Sequence, residues 1–293
     1  MAATRFKTLL GDYPITAALK SGAIASPDLA LDFADVKVPN TAFKRVVRDL
    51  EFDVAELAIV TYLMAKAQDV PLTLLPAVVV GRFQHPYIVF NAARADLKPA
   101  DLNGRTIGIR SHTVTTVAWL RGILADDYGV DLDSIQWVTF EDAHVAGYSD
   151  PPGVVRAGSD KDLKSMLVTG EIDAAIMTGT VGNPDIKPLI LNPDEAAQRW
   201  HASNAAIQVN HLVVVRSSLV QSNPDLVRKV YDMLLESKHA SGLPKPGEID
   251  MNPFGVAANR RNLDVIIDFT FRQGLIPRKP DVEELFDDVT VAL

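Results

Sequence analysis

Apolar and polar positions come in short blocks whose period switches between two and about 3.6, the pattern of strands alternating with helices. Strand blocks are predicted over residues 6–10, 29–33, 51–57, 72–80, 87–91, 106–109, 135–140, 172–177 and 207–215. Helical spacing is predicted over residues 15–21 and from Thr41, with Phe43, Val46, Val47 and Leu50 on one face. It recurs from Thr61-Tyr62, from the turn after Ile109 to about Tyr128, and over residues 160–168, 259–273 and 282–286. Asn192-Pro193 and Asn223-Pro224 each open a helix, with Pro preset for the first helical position. The second of these carries Val227, Val230, Tyr231 and Leu234 on one face. Residues 141–158 follow neither period and contain Asp150-Pro151-Pro152-Gly153, which is loop chemistry. Loops of this length in compact domains are often lids or binding loops.

The pattern repeats once. A helix followed by Leu50-Glu51-Phe52-Asp53-Val54-Ala55-Glu56-Leu57 is echoed by a helix followed by Gly170-Glu171-Ile172-Asp173-Ala174-Ala175-Ile176-Met177. Each copy leads into a threonine-bearing turn, Thr61 in one case and Thr178 with Thr180 in the other. The expected architecture is an α/β protein of two similar lobes with a cleft between them. Residues 1–90 plus 212–293 form the first lobe and residues 91–211 the second. The strands near residues 82–91 and 208–215 are the two crossings.

Composition narrows the function. The chain has 293 residues, 47% of them apolar and 23% charged, so it can bury a large core. A formal net charge of -8 argues against nucleic acid, which needs a dense basic surface. Any anion must therefore be gripped by local positive charge. With no cysteine, thiol catalysis, thiolate metal sites and disulfides are excluded. No apolar run has the length of a membrane span, so no membrane is expected as partner. The first residues lack the pattern of a secretory signal, and the expected location is the cytoplasm.

The focal stretch is Arg105 to Leu124: a short strand (Thr106 to Ile109), a polar turn, then a helix running to about Tyr128. Such a turn places backbone N–H groups and polar side chains at the carboxyl edge of an open sheet, where anions bind. Ser111 or Thr113 is expected to cap the helix, with Arg110 and His112 flanking the place of a carboxylate.

Several segments together resemble a known family. Asp101-Leu102-Asn103-Gly104-Arg105-Thr106-Ile107-Gly108-Ile109 and Gly170 to Ala175 resemble type 2 periplasmic-binding-protein folds. Gly11-Asp12-Tyr13-Pro14, Glu51 to Leu57 with Thr61-Tyr62-Leu63, and Arg82-Phe83-Gln84-His85 resemble the 4,5-dihydroxyphthalate decarboxylase family. So do Trp119 to Leu124 with Asp127-Tyr128-Gly129-Val130, Gln136-Trp137-Val138-Thr139, and Ala258-Asn259-Arg260-Arg261 with Gln273-Gly274-Leu275. Arg110-Ser111-His112-Thr113 departs from the Pro-Glu-Tyr-like turn expected of close decarboxylase relatives, and residues 140–158 have no clear counterpart. Both departures fall where a ligand would be read.

The resemblance implies a two-lobed type 2 periplasmic-binding-protein-like fold. It implies a carboxy-lyase that removes carbon dioxide from a hydroxylated aromatic (di)carboxylate without oxidation. The alternative is a solute-binding protein of an ABC-type importer, taking a small aromatic or carboxylate ligand; a third is another enzyme of the superfamily. For the decarboxylase, His85, His211 and Asp12 are the candidate catalytic residues. Asp12 is a proton donor or a cap of the next helix, and the cap is the favoured of the two. Arg82 suits a carboxylate through its planar fork. Arg110, Ser111, His112, Thr113, Thr61, Thr178 and Tyr13 complete the binding set. No organic cofactor motif is visible. A divalent metal held by His85, His112 and His211, with Asp142 or His144, is a further alternative without the usual local ligand spacing. Trp119 on its helix is expected in the core, and His201 and His239 on the surface. Arg260 and Arg261 are expected to make surface or interlobe contacts. A homo-oligomer is a further possible assembly.

Overall fold

The computed structural model describes residues 3–179 and 182–293, and Thr180 lies outside the described residues. The chain forms two compact units, Met1–Arg82 with Val209–Leu293, and Phe83–Gln208.

The first unit is built on β1 (Thr4–Leu9), β2 (Leu29–Phe33), β3 (Val54–Ala58), β4 (Leu72–Gly81) and a late strand given below as β11. α1 (Ala17–Lys20), α2 (Phe43–Asp49) and α3 (Ile59–Lys66) connect the early strands. The expected helix over residues 15–21 is instead a 3-10 turn at Pro14–Thr16 followed by the short α1, because Pro14 starts it tightly. The sheet order is β2-β1-β3-β11-β4. β1 is parallel to β2 and β3, while β11 runs antiparallel to both β3 and β4. All of β3 is buried, as a central strand requires.

The second unit contains β5 (Ile88–Asn91), β6 (Thr106–Ile109), β7 (Gln136–Thr139), β8 (Val155–Arg156), β9 (Ala174–Ile176) and β10 (Ile186–Pro188). Its helices are α4 (Thr115–Tyr128), α5 (Leu163–Thr169) and α6 (Pro193–Asn204). The sheet order is β10-β5-β9-β6-β7-β8, with β5 antiparallel to its two neighbours and the remaining pairs parallel. The segment at residues 141–158, expected to lack structure, contributes β8 to this sheet. α4 is capped at Val114, without a side-chain bond, and not by Ser111 or Thr113, whose hydroxyls face each other at 3.3 Å.

The chain returns through β11 (Val209–Arg216), then α7 (Ser217–Ser222), α8 (Pro224–Ala240) and α9 (Val256–Arg272). α8 lays Val227, Val230 and Leu234 into the first unit's core with Phe6, Leu75 and Val213. The second core gathers Ile107, Ile109, Val117, Leu120 and Trp137. The division falls at 82/83 and 208/209, ahead of the expected 90/91 and 211/212. The reason is that, among the described residues, β5 pairs with β9 and β10, while Val209 already pairs with Gly81.

The echo is structural. Asp53 and Asp173 each accept from a backbone N–H of the neighbouring parallel strand, Lys7 at 2.8 Å and Thr106 at 2.9 Å. Their own N–H groups donate back to the same two residues at 2.8 and 2.9 Å. Without β8, both sheets follow one order: β2-β1-β3-β11-β4 matches β7-β6-β9-β5-β10.

Candidate functional site

In the first unit a carboxylate is buried on the central strand. Glu56 is fully buried and collects three donors. Gly11 N–H reaches its Oε2 at 2.5 Å; Tyr13 Oη and His211 Nδ1 reach Oε1 at 2.8 and 2.9 Å. The register explains the meeting. His211 pairs with Ala58, two residues from Glu56 on the same face, a diagonal that long side chains span. Gly11 and Tyr13 lie just past the carboxyl end of β1, the adjacent parallel strand. Gly11 is needed there because a Cβ would meet the Tyr13 ring at 2.6 Å.

Three hydrogen-bond partners fix the orientation of this carboxylate. Burial first, then the charge of Glu56, pushes the Tyr13 hydroxyl pKa well up, so it stays a donor; Arg82 acts in the opposite sense. His211 spends Nδ1 on Glu56, and Phe43 holds the ring edge-on at 5.1 Å. The His211 side chain is 18% exposed. A carboxylate hydrogen-bonded to one ring nitrogen fixes the orientation of an imidazole, an arrangement that general acid–base chemistry can use.

In the second unit the buried charge is a cation. Arg121 of α4 is 3% exposed. Its guanidinium contacts His112 Nε2 and donates to the His112 carbonyl at 2.8 Å. His112 Nδ1 meets Tyr148 Oη at 2.8 Å, with the two rings stacked at an interplanar 16°. Burial, with Arg121 second, holds the His112 pKa down to about 2. Desolvation lowers Arg121 to about 10. It raises Tyr148 to about 12.

The sequence-derived candidates divide. Tyr13 and His211 meet in the first centre, and His112 lies in the second. Asp12 neither caps nor enters a centre: its side chain is 83% exposed and paired with Lys20. Thr61 is buried in the first turn of α3, and Thr178 is exposed after β9. Arg110 faces Glu141 at 3.6 Å. Ser111 and Thr113 are buried. His85 is fully buried between Phe83 and Trp200, its ring nitrogens have no hydrogen-bond partner among the described residues, and burial lowers its pKa to about 4.

For the metal alternative, His112 has both ring nitrogens engaged, Asp142 pairs with Arg156 at 2.9 Å, and no group of three His, Cys, Asp or Glu suited to a metal occurs among the described residues. Trp119 is in the core, edge-on to Trp200. His201 is not a plain surface residue: its Nδ1 meets the Ala206 carbonyl at 2.8 Å. Arg260 pairs with Glu283 on the surface. Among the described residues no helix is long and apolar enough to cross a membrane.

Sequence reading missed Glu56, Arg121 and Tyr148. The first two carried a signal, an acid inside an apolar strand and an arginine inside the run Val117 to Leu124. Tyr148, in an aperiodic loop, carried none.

No model of a known protein family matches the chain. A 4,5-dihydroxyphthalate decarboxylase of Comamonas testosteroni is 28% identical over 220 residues, 67% of this chain and 65% of the relative. One of Pseudomonas putida is 28% identical over 182 residues, 56% of this chain and 68% of that relative. The chain thus spans about two thirds of the length of the curated relatives it matches. Among solved structures, the periplasmic aliphatic sulphonate binding protein SsuA from Escherichia coli superposes with a TM-score of 0.63 at 13% identity, over 98% of this chain and 92% of that one. The desulfurization enzyme DSZB superposes with a TM-score of 0.54 at 14% identity, over 97% of both chains. The expected fold and resemblance are met: this chain has the periplasmic-binding-protein fold, and its sequence is similar to 4,5-dihydroxyphthalate decarboxylase.

Proposed function

We propose that this chain is a non-oxidative decarboxylase of a hydroxylated aromatic carboxylate, with 4,5-dihydroxyphthalate the first substrate to try. The observation that carries the reading is the Glu56–His211 pair with Tyr13 beside it. The names of the two relatives supply the reaction class. In such a reaction the ring carbon bearing the carboxylate takes up a proton. The bond to the carboxylate then breaks, its electron pair stays on the ring, and carbon dioxide leaves. One proton is consumed per turnover. His211 Nε2 delivers it, and Glu56 stabilises the imidazolium before transfer. Tyr13 and Gly11 N–H keep Glu56 fixed, so His211 is oriented before substrate arrives.

The test is carbon dioxide release from a panel of hydroxylated aromatic acids, with His211→Asn beside the wild type. General acid–base catalysis contributes about 10²–10⁴-fold. The variant should lose about that much in kcat while still binding the acid. A variant with unchanged kcat removes His211 from the chemistry. A receptor reading keeps the same residues without turnover, and it is favoured by the fold shared with a sulphonate-binding protein. Tight binding across the panel with no carbon dioxide released decides for it.

A further inference from the structure

Arg121 is the most deeply buried charge outside the first centre, and its wiring has a direction. A guanidinium only donates, so the His112 Nε2 that it contacts is the bare nitrogen of the ring. The same guanidinium nitrogen lies farther, 3.3 Å, from Nδ1. The neutral imidazole therefore carries its hydrogen on Nδ1 and donates it to Tyr148 Oη. That oxygen, already an acceptor, has its own hydrogen left to give, and no other partner for it is present among the described residues.

Among the described residues the charge behind this chain has no carboxylate hydrogen-bonded to it; its guanidinium carbon lies 5.9 Å from the centre of the Trp137 ring. Arg121 makes no ion pair among the described residues, and its Nε is buried without a hydrogen-bond partner. Asp150 is near enough to favour its charge, yet that carboxylate accepts from Thr139 at 3.0 Å and faces Arg156 at 3.6 Å. The loop bearing Tyr148 is tied at Glu141 to Arg110, at Asp142 to Arg156 and at Asp150 to Thr139. A half-buried hydroxyl is thus held at the carboxyl edge of β6 and β7, with a positive charge behind it.

We propose that Tyr148 donates its hydroxyl hydrogen to a carboxylate oxygen of the ligand, with Arg121 and His112 as positioning residues that fix the direction of that bond. This names a ligand-reading group within the second unit and rests on the proposed function only for the choice of an aromatic carboxylate. A carboxylate suits it better than a neutral oxygen because Arg121 makes no ion pair among the described residues. His112 is a relay of hydrogen-bond direction and not a proton carrier, since burial keeps it neutral.

The probe is phthalate, a dicarboxylate without ring hydroxyls, with dimethyl phthalate as its uncharged counterpart. Calorimetric titration of the full chain at pH 7 compares wild type with Tyr148→Phe, which keeps the stacked ring. Phthalate should weaken about 10- to 100-fold in the variant, and dimethyl phthalate by clearly less. The imidazole nitrogen spectrum should show His112 protonated at Nδ1, bare at Nε2, and unchanged from pH 5 to pH 9. Arg121→Gln should lose the preference for phthalate over the diester. If it does not fold, Tyr148→Phe and the spectrum decide alone.

An unchanged phthalate affinity, equal weakening of both probes, no phthalate binding by wild type, or a hydrogen on Nε2 overturns the proposal. The two readings fail separately. A protein that binds phthalate through Tyr148 but releases no carbon dioxide sinks the decarboxylase alone. One that decarboxylates with full affinity in Tyr148→Phe sinks this inference alone.

Discussion

In the first unit β3 lies between a parallel and an antiparallel neighbour and carries Glu56; in the second, β9 holds the same place. Counting from Asp53 and Asp173, which make the same backbone bonds, the residue in step with Glu56 is Ile176. Both are buried, yet their demands on the surroundings differ. Ile176 needs only apolar neighbours. Glu56 needs donors, and the turn after β1 and the start of β11 provide them. The second unit instead buries a cation on α4, whose guanidinium meets the imidazole and the backbone carbonyl of His112. One centre is therefore internally saturated and suited to holding a base in place. The other holds a guanidinium that makes no ion pair among the described residues, which is the basis for proposing that it meets an anion. A shared strand order does not determine the chemistry set on it; single residues at matched places do.

The sharpest break of this comparison is to give the first unit the second unit's solution. Glu56→Ile leaves the Tyr13, His211 and Gly11 donors unanswered. It should cost about 2–4 kcal/mol in urea unfolding and abolish carbon dioxide release. A variant as stable as wild type means that the three donors find other acceptors and that the centre is not a saturated network.

Acid should separate the units next. Free imidazole takes a proton near pH 6.5, but His85 resists until about 4 and His112 until about 2. Below pH 6.5 the unfolded chain therefore binds more protons than the folded one, and stability falls with pH. Both rings contribute between pH 6.5 and 4, and only His112 below that. Each contributes about 1.4 kcal/mol per pH unit at most, so their joint share is roughly 1–3 kcal/mol per unit. Hydrogen exchange at pH 7 and pH 5 should show the second unit loosening, and His85→Phe should remove part of the slope. Equal protection at both values contradicts the buried, neutral state of these rings.

Smaller is the loss of one donor. Tyr13→Phe should cost about 1 kcal/mol. Gly11→Ala should do the same by driving the Tyr13 ring away, since the added carbon would lie 2.6 Å from it. Agreement of the two urea midpoints shows that Gly11 serves Tyr13, and a harmless Gly11→Ala shows that the ring has room to move. Smallest is Asp12→Asn, on a side chain 83% exposed. Its stability should stay within about 0.5 kcal/mol of wild type and its turnover unchanged. A large loss of turnover restores Asp12 as a proton donor.

Much of this was legible beforehand, for different reasons. Strands and helices were legible because burial on one face imposes a period on neighbouring residues, as in α8 with Val227, Val230 and Leu234. Tyr13 and His211 stood out as polar side chains near strand ends. Glu56 and Arg121 lie inside apolar runs, where a period-based reading assigns core and stops asking. Asp12 drew attention beside Tyr13, but successive residues point in different directions, and only one of the pair turns inward.

The chain by itself determined the α/β alternation, the internal echo, the resemblance and the absence of thiol chemistry, because each depends on residues close in sequence or on composition. Tertiary structure alone decided that Glu56 meets His211 across 155 positions, that Arg121 meets the ring of His112, and that Tyr148 comes back onto that ring. Those contacts depend on strand register and loop closure, which bring together groups whose separation along the chain carries no trace of their neighbourhood in space.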